Sequence, residues 1–150
     1  MLYTSVLDIH AFAMMAAVVL FLAAELLLFA GTGGDAKMAR FALGTSRSAN
    51  VVAMIGMLAG IALLYLGGWS LLTPWLLLSF ALIAAMMVVN RRFVRPWQKK
   101  VQAAIADASR SDLGALAGDR RALVGRVAVI ALFALVGALM MLKPERALLA

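Results

Sequence analysis

The chain has 150 residues, 65% of them hydrophobic and 14% charged, with a net charge of +7 and no cysteine. That apolar share exceeds the roughly 45–50% of a soluble domain, which excludes a water-soluble globule. The missing cysteines exclude disulfides, Cys-held iron–sulfur clusters and thiol catalysis.

The first apolar run, residues 7–30, is long enough to cross about 30 Å of hydrocarbon as a helix. It does not read as a cleaved leader: Met1 to Leu7 contain no Lys or Arg, and Asp8 stands where positive charge belongs. It carries two ionisable residues, His10 and Glu25. Fifteen steps of 100° put them about 60° apart around the helix and roughly 22 Å apart along it, so they are two separate sites. An ionisable side chain in a spanning helix costs about 2.5–3.5 kcal/mol on insertion scales and needs a partner, water or a task. His10 has Met14 one turn away, and Met140 and Met141 close the last apolar run at a similar depth. Imidazole with thioether is a soft donor set suited to Cu(I) or a haem iron. The alternative is an interfacial histidine bonded to Asp8, a backbone carbonyl or a lipid headgroup.

Residues 31–49 are expected as a connection, opening with the Gly-rich turn "GTGGD" and carrying Lys37, Arg40 and Arg47. The second helix is expected at 50–67. Within it Gly56 and Gly60 lie four apart, a small-residue stripe that lets two backbones approach, inside one bundle or across a homodimer. A tight hairpin around Gly67-Gly68-Trp69 leads to the third helix, 74–90, with Pro74 in its first turn. The second and third helices are thus expected as antiparallel neighbours. Trp69, Trp75 and Tyr3 at one boundary and Phe93 and Trp97 at the other are placed as aromatic belts.

Residues 91–122 form the longest connection and hold most of the basic residues, among them Arg91, Arg92, Arg95, Lys99, Lys100 and Arg121. The stretch "PWQKKVQAAIADASR" places Trp97, Val101, Ala104, Ile105 and Ala108 roughly on one face. It reads as a short amphipathic helix, either extending the third helix or lying on the leaflet as an anchor to anionic lipid or a docking surface. Asp112 and Asp119 are placed to cap helix starts. The fourth spanning helix is expected at 123–142. No basic stripe with interleaved aromatics is present, so nucleic acid is not an expected partner.

The fold class is therefore all-α: a polytopic membrane protein, a single-domain four-helix bundle with a short amphipathic cytoplasmic helix between helices three and four. The Lys and Arg distribution puts connections 31–49 and 91–122 in the cytoplasm and both termini outside. At the cytoplasmic level all four helices contribute a polar residue: Glu25, Arg47, Asn50, Asn90 and Arg126. Two readings of that layer stand side by side, a structural clamp of Glu25 with Arg47 or Arg126 and a protonatable carboxylate in a vestibule for proton coupling or ligand binding. No catalytic signature is present.

The helix-one histidine, the run to "YLGGW" and the stretch "PWLLLSFALIAAMMVVNRRFVRPWQKK" resemble a family of uncharacterised bacterial four-helix integral membrane proteins. These are distantly similar to CopD-like copper-resistance proteins and HemJ-like protoporphyrinogen oxidases. The resemblance implies a bacterial inner-membrane location and a haem- or copper-ligand role for His10. It departs from the pattern after the histidine, where "AFAMMAAVV" replaces the Trp and paired Gly of those relatives. It implies no role for Glu25.

Overall fold

A computed structural model describes residues 1–30 and 35–142, and the description below concerns these alone. The expected Gly-rich turn at 31–34 and the tail beyond Leu142 lie outside them. Among the described residues every regular element is helical: α1 (Leu2–Ala30), α2 (Ala36–Leu66), α3 (Pro74–Val89), a π-helical turn (Asn90–Val94), α4 (Arg95–Ala106), α5 (Arg110–Ala117) and α6 (Arg120–Leu142).

Helix α2 begins fourteen residues before the expected boundary at 50. Low hydropathy suggests a connection over 36–49, but Ala, Lys, Met, Arg and Leu are good helix formers there. Ala39, Ala42 and Leu43 also recur at helical spacing and are buried. Asp35 starts the helix by accepting from the Lys37 backbone N–H at 2.8 Å.

The third spanning helix does not end at 90 either. It continues through the π turn into α4 as one rod, Pro74–Ala106. The cause is Pro96, which cannot donate to the carbonyl four residues back and crowds it. A wider turn absorbs the mismatch: the Arg95 N–H bonds the Asn90 carbonyl, five residues earlier.

The long connection also contains a second helix, α5, which the sequence reading lacks. Its N-cap is Ser109, whose hydroxyl accepts from the Asp112 N–H and donates to the Asp112 carboxylate. Asp112 is thus the partner of the cap rather than the cap. Asp119 does cap α6, accepting from the N–H groups of Arg121 and Ala122 at 2.9 and 3.2 Å.

Packing follows two close pairings, α1 on α2 and α3 on α6. Helices α2 and α3 are joined by the tight turn at Gly67 and Gly68 but do not approach along their lengths, contrary to the expected neighbour pairing. The small-residue face of α2 is occupied by α1 instead. At the other end of the bundle, which carries most of the basic residues, α4 packs onto α2. There Trp97, Val101 and Ala104 of α4 pack with Ala39 and Leu43 of α2, Leu113 of α5 and Ala122 of α6. The apolar face of the amphipathic segment is therefore buried in protein and does not lie on a leaflet. Trp97 and Trp75 are correspondingly buried, not belt residues facing the boundary.

Outside these contacts the bundle presents apolar side chains: Phe12, Leu26, Phe29, Leu58 and Val124 are each more than half exposed. Water would penalise such a surface at about 25 cal/mol per Å², whereas a lipid core does not. Four helices are long and apolar enough to span: α1, α2, the α3–α4 rod and α6. The chain is an all-α four-helix membrane bundle.

Candidate functional site

Glu25 lies one and a half turns before the end of α1, and Arg126 lies just under two turns into α6. The two elements meet here and again one turn away on α1 and two turns away on α6, where Phe21 and Phe133 make an edge contact at 6.0 Å. The Arg126 Nε–H points between the two oxygens of Glu25, 2.8 Å from Oε1 and 3.0 Å from Oε2. Arg126 is 7% exposed. Its guanidinium carbon sits 4.1 Å from the Trp97 ring centroid, so an aromatic face covers the cation. The Trp97 indole N–H in turn donates at 2.9 Å to the Leu116 carbonyl near the end of α5, which also accepts from the Asp119 N–H at 3.3 Å. Glu25, Arg126, Trp97 and Leu116 thus form one chain of contacts across α1, α6, α4 and α5.

Because Glu25 places both oxygens on one N–H, the outer edge of the guanidinium is not held in the usual two-toothed manner. Arg126 Nη1 is buried without a hydrogen-bond partner. A cavity of about 40 Å³ adjoins the pair, and its polar lining comprises Glu25, Ser46, Asn50, Asn90, Gln98 and Arg126. Gln98 donates to the Ser46 hydroxyl at 3.2 Å, and the Asn50 amide donates to the Ser46 carbonyl of its own helix at 2.8 Å. A polar space of this size has room for a few water molecules, each needing roughly 10–15 Å³. It is far smaller than the roughly 300–1,000 Å³ of pockets that take organic ligands.

Of the five residues expected in the polar layer, Glu25, Asn50, Asn90 and Arg126 line this one cavity. Arg47 does not: it is exposed, and the ion pair observed for Glu25 is with Arg126. Position 47 is turned about 100° from Ser46 and about 60° from Asn50 around α2, which takes it out of the cavity lining. Ser46, Trp97 and Gln98 were missed. For Ser46 and Gln98 the signal was weak, a polar residue in a segment read as connection. For Trp97 the signal was present but assigned to the boundary.

His10 lies in a different place, against α2. Its Nδ1 is 2.7 Å from the Gly56 carbonyl oxygen, which only accepts, so Nδ1 carries the hydrogen and donates. This contact depends on Gly60. A Cβ there would stand 2.9 Å from His10 Cε1, and one at Gly56 would stand 2.9 Å from Met14 Sδ. The two glycines therefore admit His10 and Met14 to the α2 backbone, and the stripe serves packing within the chain. His10 through Nδ1 and Met14 through Sδ both pack against the α2 backbone. Among the described residues no group of three or more His, Cys, Asp and Glu side chains converges.

Fold and site together define a helical membrane protein with a covered charge pair near the basic end of its spanning helices. Comparison of the chain with protein-family models, curated proteins and solved structures returned no match.

Proposed function

We propose that this chain is a non-catalytic component of a bacterial inner membrane, accessory or structural in role, with Glu25 and Arg126 as an internal clamp. The observation that carries the reading is that the two charges already answer each other beneath the Trp97 ring. The adjoining cavity is too small for an organic substrate. The basic end faces the cytoplasm and both termini lie outside, a placement supported by Lys37, Arg40, Arg91, Arg92, Lys99 and Lys100 at that end. Its partners are the lipid bilayer and other membrane proteins, a second copy included.

A proton-coupled carrier is the second reading, favoured by one observation: Arg126 Nη1 is buried, unpartnered and beside a polar cavity. Melting of purified variants in detergent separates the two. A clamp requires Glu25→Ala to lower stability by about 3–5 kcal/mol, because it leaves a buried cation unpaired. The double replacement Glu25→Leu with Arg126→Leu should recover most of that loss. Unchanged stability in Glu25→Gln, together with loss of a pH-dependent solute uptake that the parent shows, replaces the clamp by the carrier.

A further inference from the structure

A second concavity lies between α1 and α2 at the basic end, away from the charge pair. It is an open groove of about 530 Å³, lined by Leu20 of α1 and by Lys37, Arg40, Phe41, Gly44, Thr45 and Ser48 of α2. The α2 positions step by three, one, three, one and three, so they form a single helix face. Chemistry changes in order along it: two cations in the first turns, then an aromatic ring, then a glycine, then two hydroxyls. Lys37 and Arg40 are exposed and make no ion pair among the described residues. Asp35, just before the helix, is engaged by the Lys37 backbone N–H, and no carboxylate lines the groove. At Gly44 a Cβ would meet nothing within 4 Å, so the floor is open.

We infer that this groove binds one anionic diacyl phospholipid, its phosphate between Lys37 and Arg40 and its glycerol region over Gly44. The order of chemistry fits that molecule. A phosphate needs cations, and two are available at the end of the face that reaches the headgroup level. Ser48 lies about 12 Å further along the helix axis than Arg40, where its hydroxyl reaches an ester carbonyl, while the Thr45 hydroxyl donates to the Phe41 carbonyl of its own helix at 2.9 Å. Leu20 offers an apolar wall to the first methylenes, and Phe41 lies beside the glycerol region. A choline or ethanolamine headgroup carries its own cation, which two unpaired basic residues and no acid disfavour. A free phosphate ion has no use for the apolar wall. The volume lies within the range of pockets that take organic groups. The α4 surface offers no comparable place, since its apolar face is packed against α2, α5 and α6.

The inference rests on the proposed placement of this end at a lipid headgroup layer, and the two are read by different experiments. The full chain, purified in detergent, is titrated with phosphatidylglycerol, phosphatidylcholine or inorganic phosphate, and bound lipid is followed by native mass spectrometry and thermal melting. Phosphatidylglycerol should bind and raise the melting temperature. Lys37→Gln with Arg40→Gln should weaken it about 10- to 30-fold, and the equal charge change Lys99→Gln with Lys100→Gln should leave it unaltered. Gly44→Leu, which fills the floor and keeps both cations, should also weaken it and carries the test if the first variant fails to fold. Equal weakening by both charge variants, equal binding of phosphatidylcholine, or the same effect from inorganic phosphate overturns the site. Retention in alkali-washed membranes reads the membrane placement separately: a chain that stays there but ignores phosphatidylglycerol loses the groove and keeps the proposed function.

Discussion

Trp97 covers Arg126: the guanidinium carbon lies 4.1 Å from the indole ring centroid while Glu25 holds the same group through Nε. The cation is thereby removed from both lipid and water, and α4 and α5 are coupled to the spanning helices through one side chain. The indole N–H continues the connection to the Leu116 carbonyl. Helices α4 and α5 and the charge pair are thereby linked through one side chain.

Two replacements of Trp97 separate its contributions. Trp97→Phe keeps a ring over Arg126 but removes the donor to Leu116, and a typical lost hydrogen bond costs about 1 kcal/mol. Trp97→Ala removes the cover, the donor and a large buried volume, for an expected loss of about 3–5 kcal/mol. Melting of both variants in detergent, with limited proteolysis within 107–119, checks the coupling. Trp97→Phe should expose α5 to protease with little change in melting, and Trp97→Ala should do both. An equal effect of the two would assign the whole contribution to the hydrogen bond.

His10 packs on Gly60 and donates to the Gly56 carbonyl, a second polar contact between spanning helices. His10→Phe keeps a ring of similar width and loses the hydrogen bond to Gly56, with an expected loss of about 0.5–1.5 kcal/mol. Gly60→Leu drives a side chain into the ring position and should cost about 1–3 kcal/mol as overpacking. Combining them should cost less than the sum, since both break the same contact. Strict additivity in melting measurements would mean that the two residues act independently.

The four spanning segments were legible because lipid imposes a long apolar run on any helix that crosses it, and the runs at 7–30 and 123–142 closely match α1 and α6. The polar ends of the helices were not. Hydropathy falls at Ala36 and at Asn90 although the helix continues, because there α2, α4, α5 and α6 bury one another's faces in protein contacts. Glu25 and Arg126 were recognisable as candidates by their rarity in apolar runs. Which arginine answers Glu25 was not, since the choice between Arg47 and Arg126 depends on how α2 and α6 are rotated. The pairing of α1 with α2 was carried by Gly56 and Gly60, but their partner on α1 is a matter of packing. The π turn had a signal in Pro96, which was read as a helix start.

Ala108 tests the local geometry at the end of α4. It has φ of 51°, in the left-handed region, while the Ser109 N–H bonds the Ala104 carbonyl at 3.1 Å. This is the closing pattern that glycine favours at the position after a helix end. Ala108→Gly should therefore stabilise the chain by about 1 kcal/mol or slightly less, the side-chain strain relieved being partly offset by backbone entropy. Melting should rise by about 2–4 °C. A fall would place residue 108 outside the left-handed region.

Gly125 governs how α6 meets the π turn. A Cβ at this position would stand 2.5 Å from Phe93 Cβ, an atom fixed to the backbone rather than the free end of a side chain. The neighbouring ring is also engaged, with the Arg121 guanidinium carbon 5.4 Å from its centroid. Gly125→Ala must therefore move the π turn away from α6, and the turn carries Asn90 while the next residue of α6 is Arg126. The expected loss is about 1–3 kcal/mol, large for the addition of one methyl group. Since the displacement disturbs the charge pair, the loss should shrink in a background where Glu25 and Arg126 are both leucine. Ala→Gly changes in helices ordinarily cost up to 1 kcal/mol, so a simple propensity effect would make Gly125→Ala stabilising. A rise in melting temperature for Gly125→Ala would show that α6 and the π turn are not in contact, and would separate Asn90 from the Arg126 cavity.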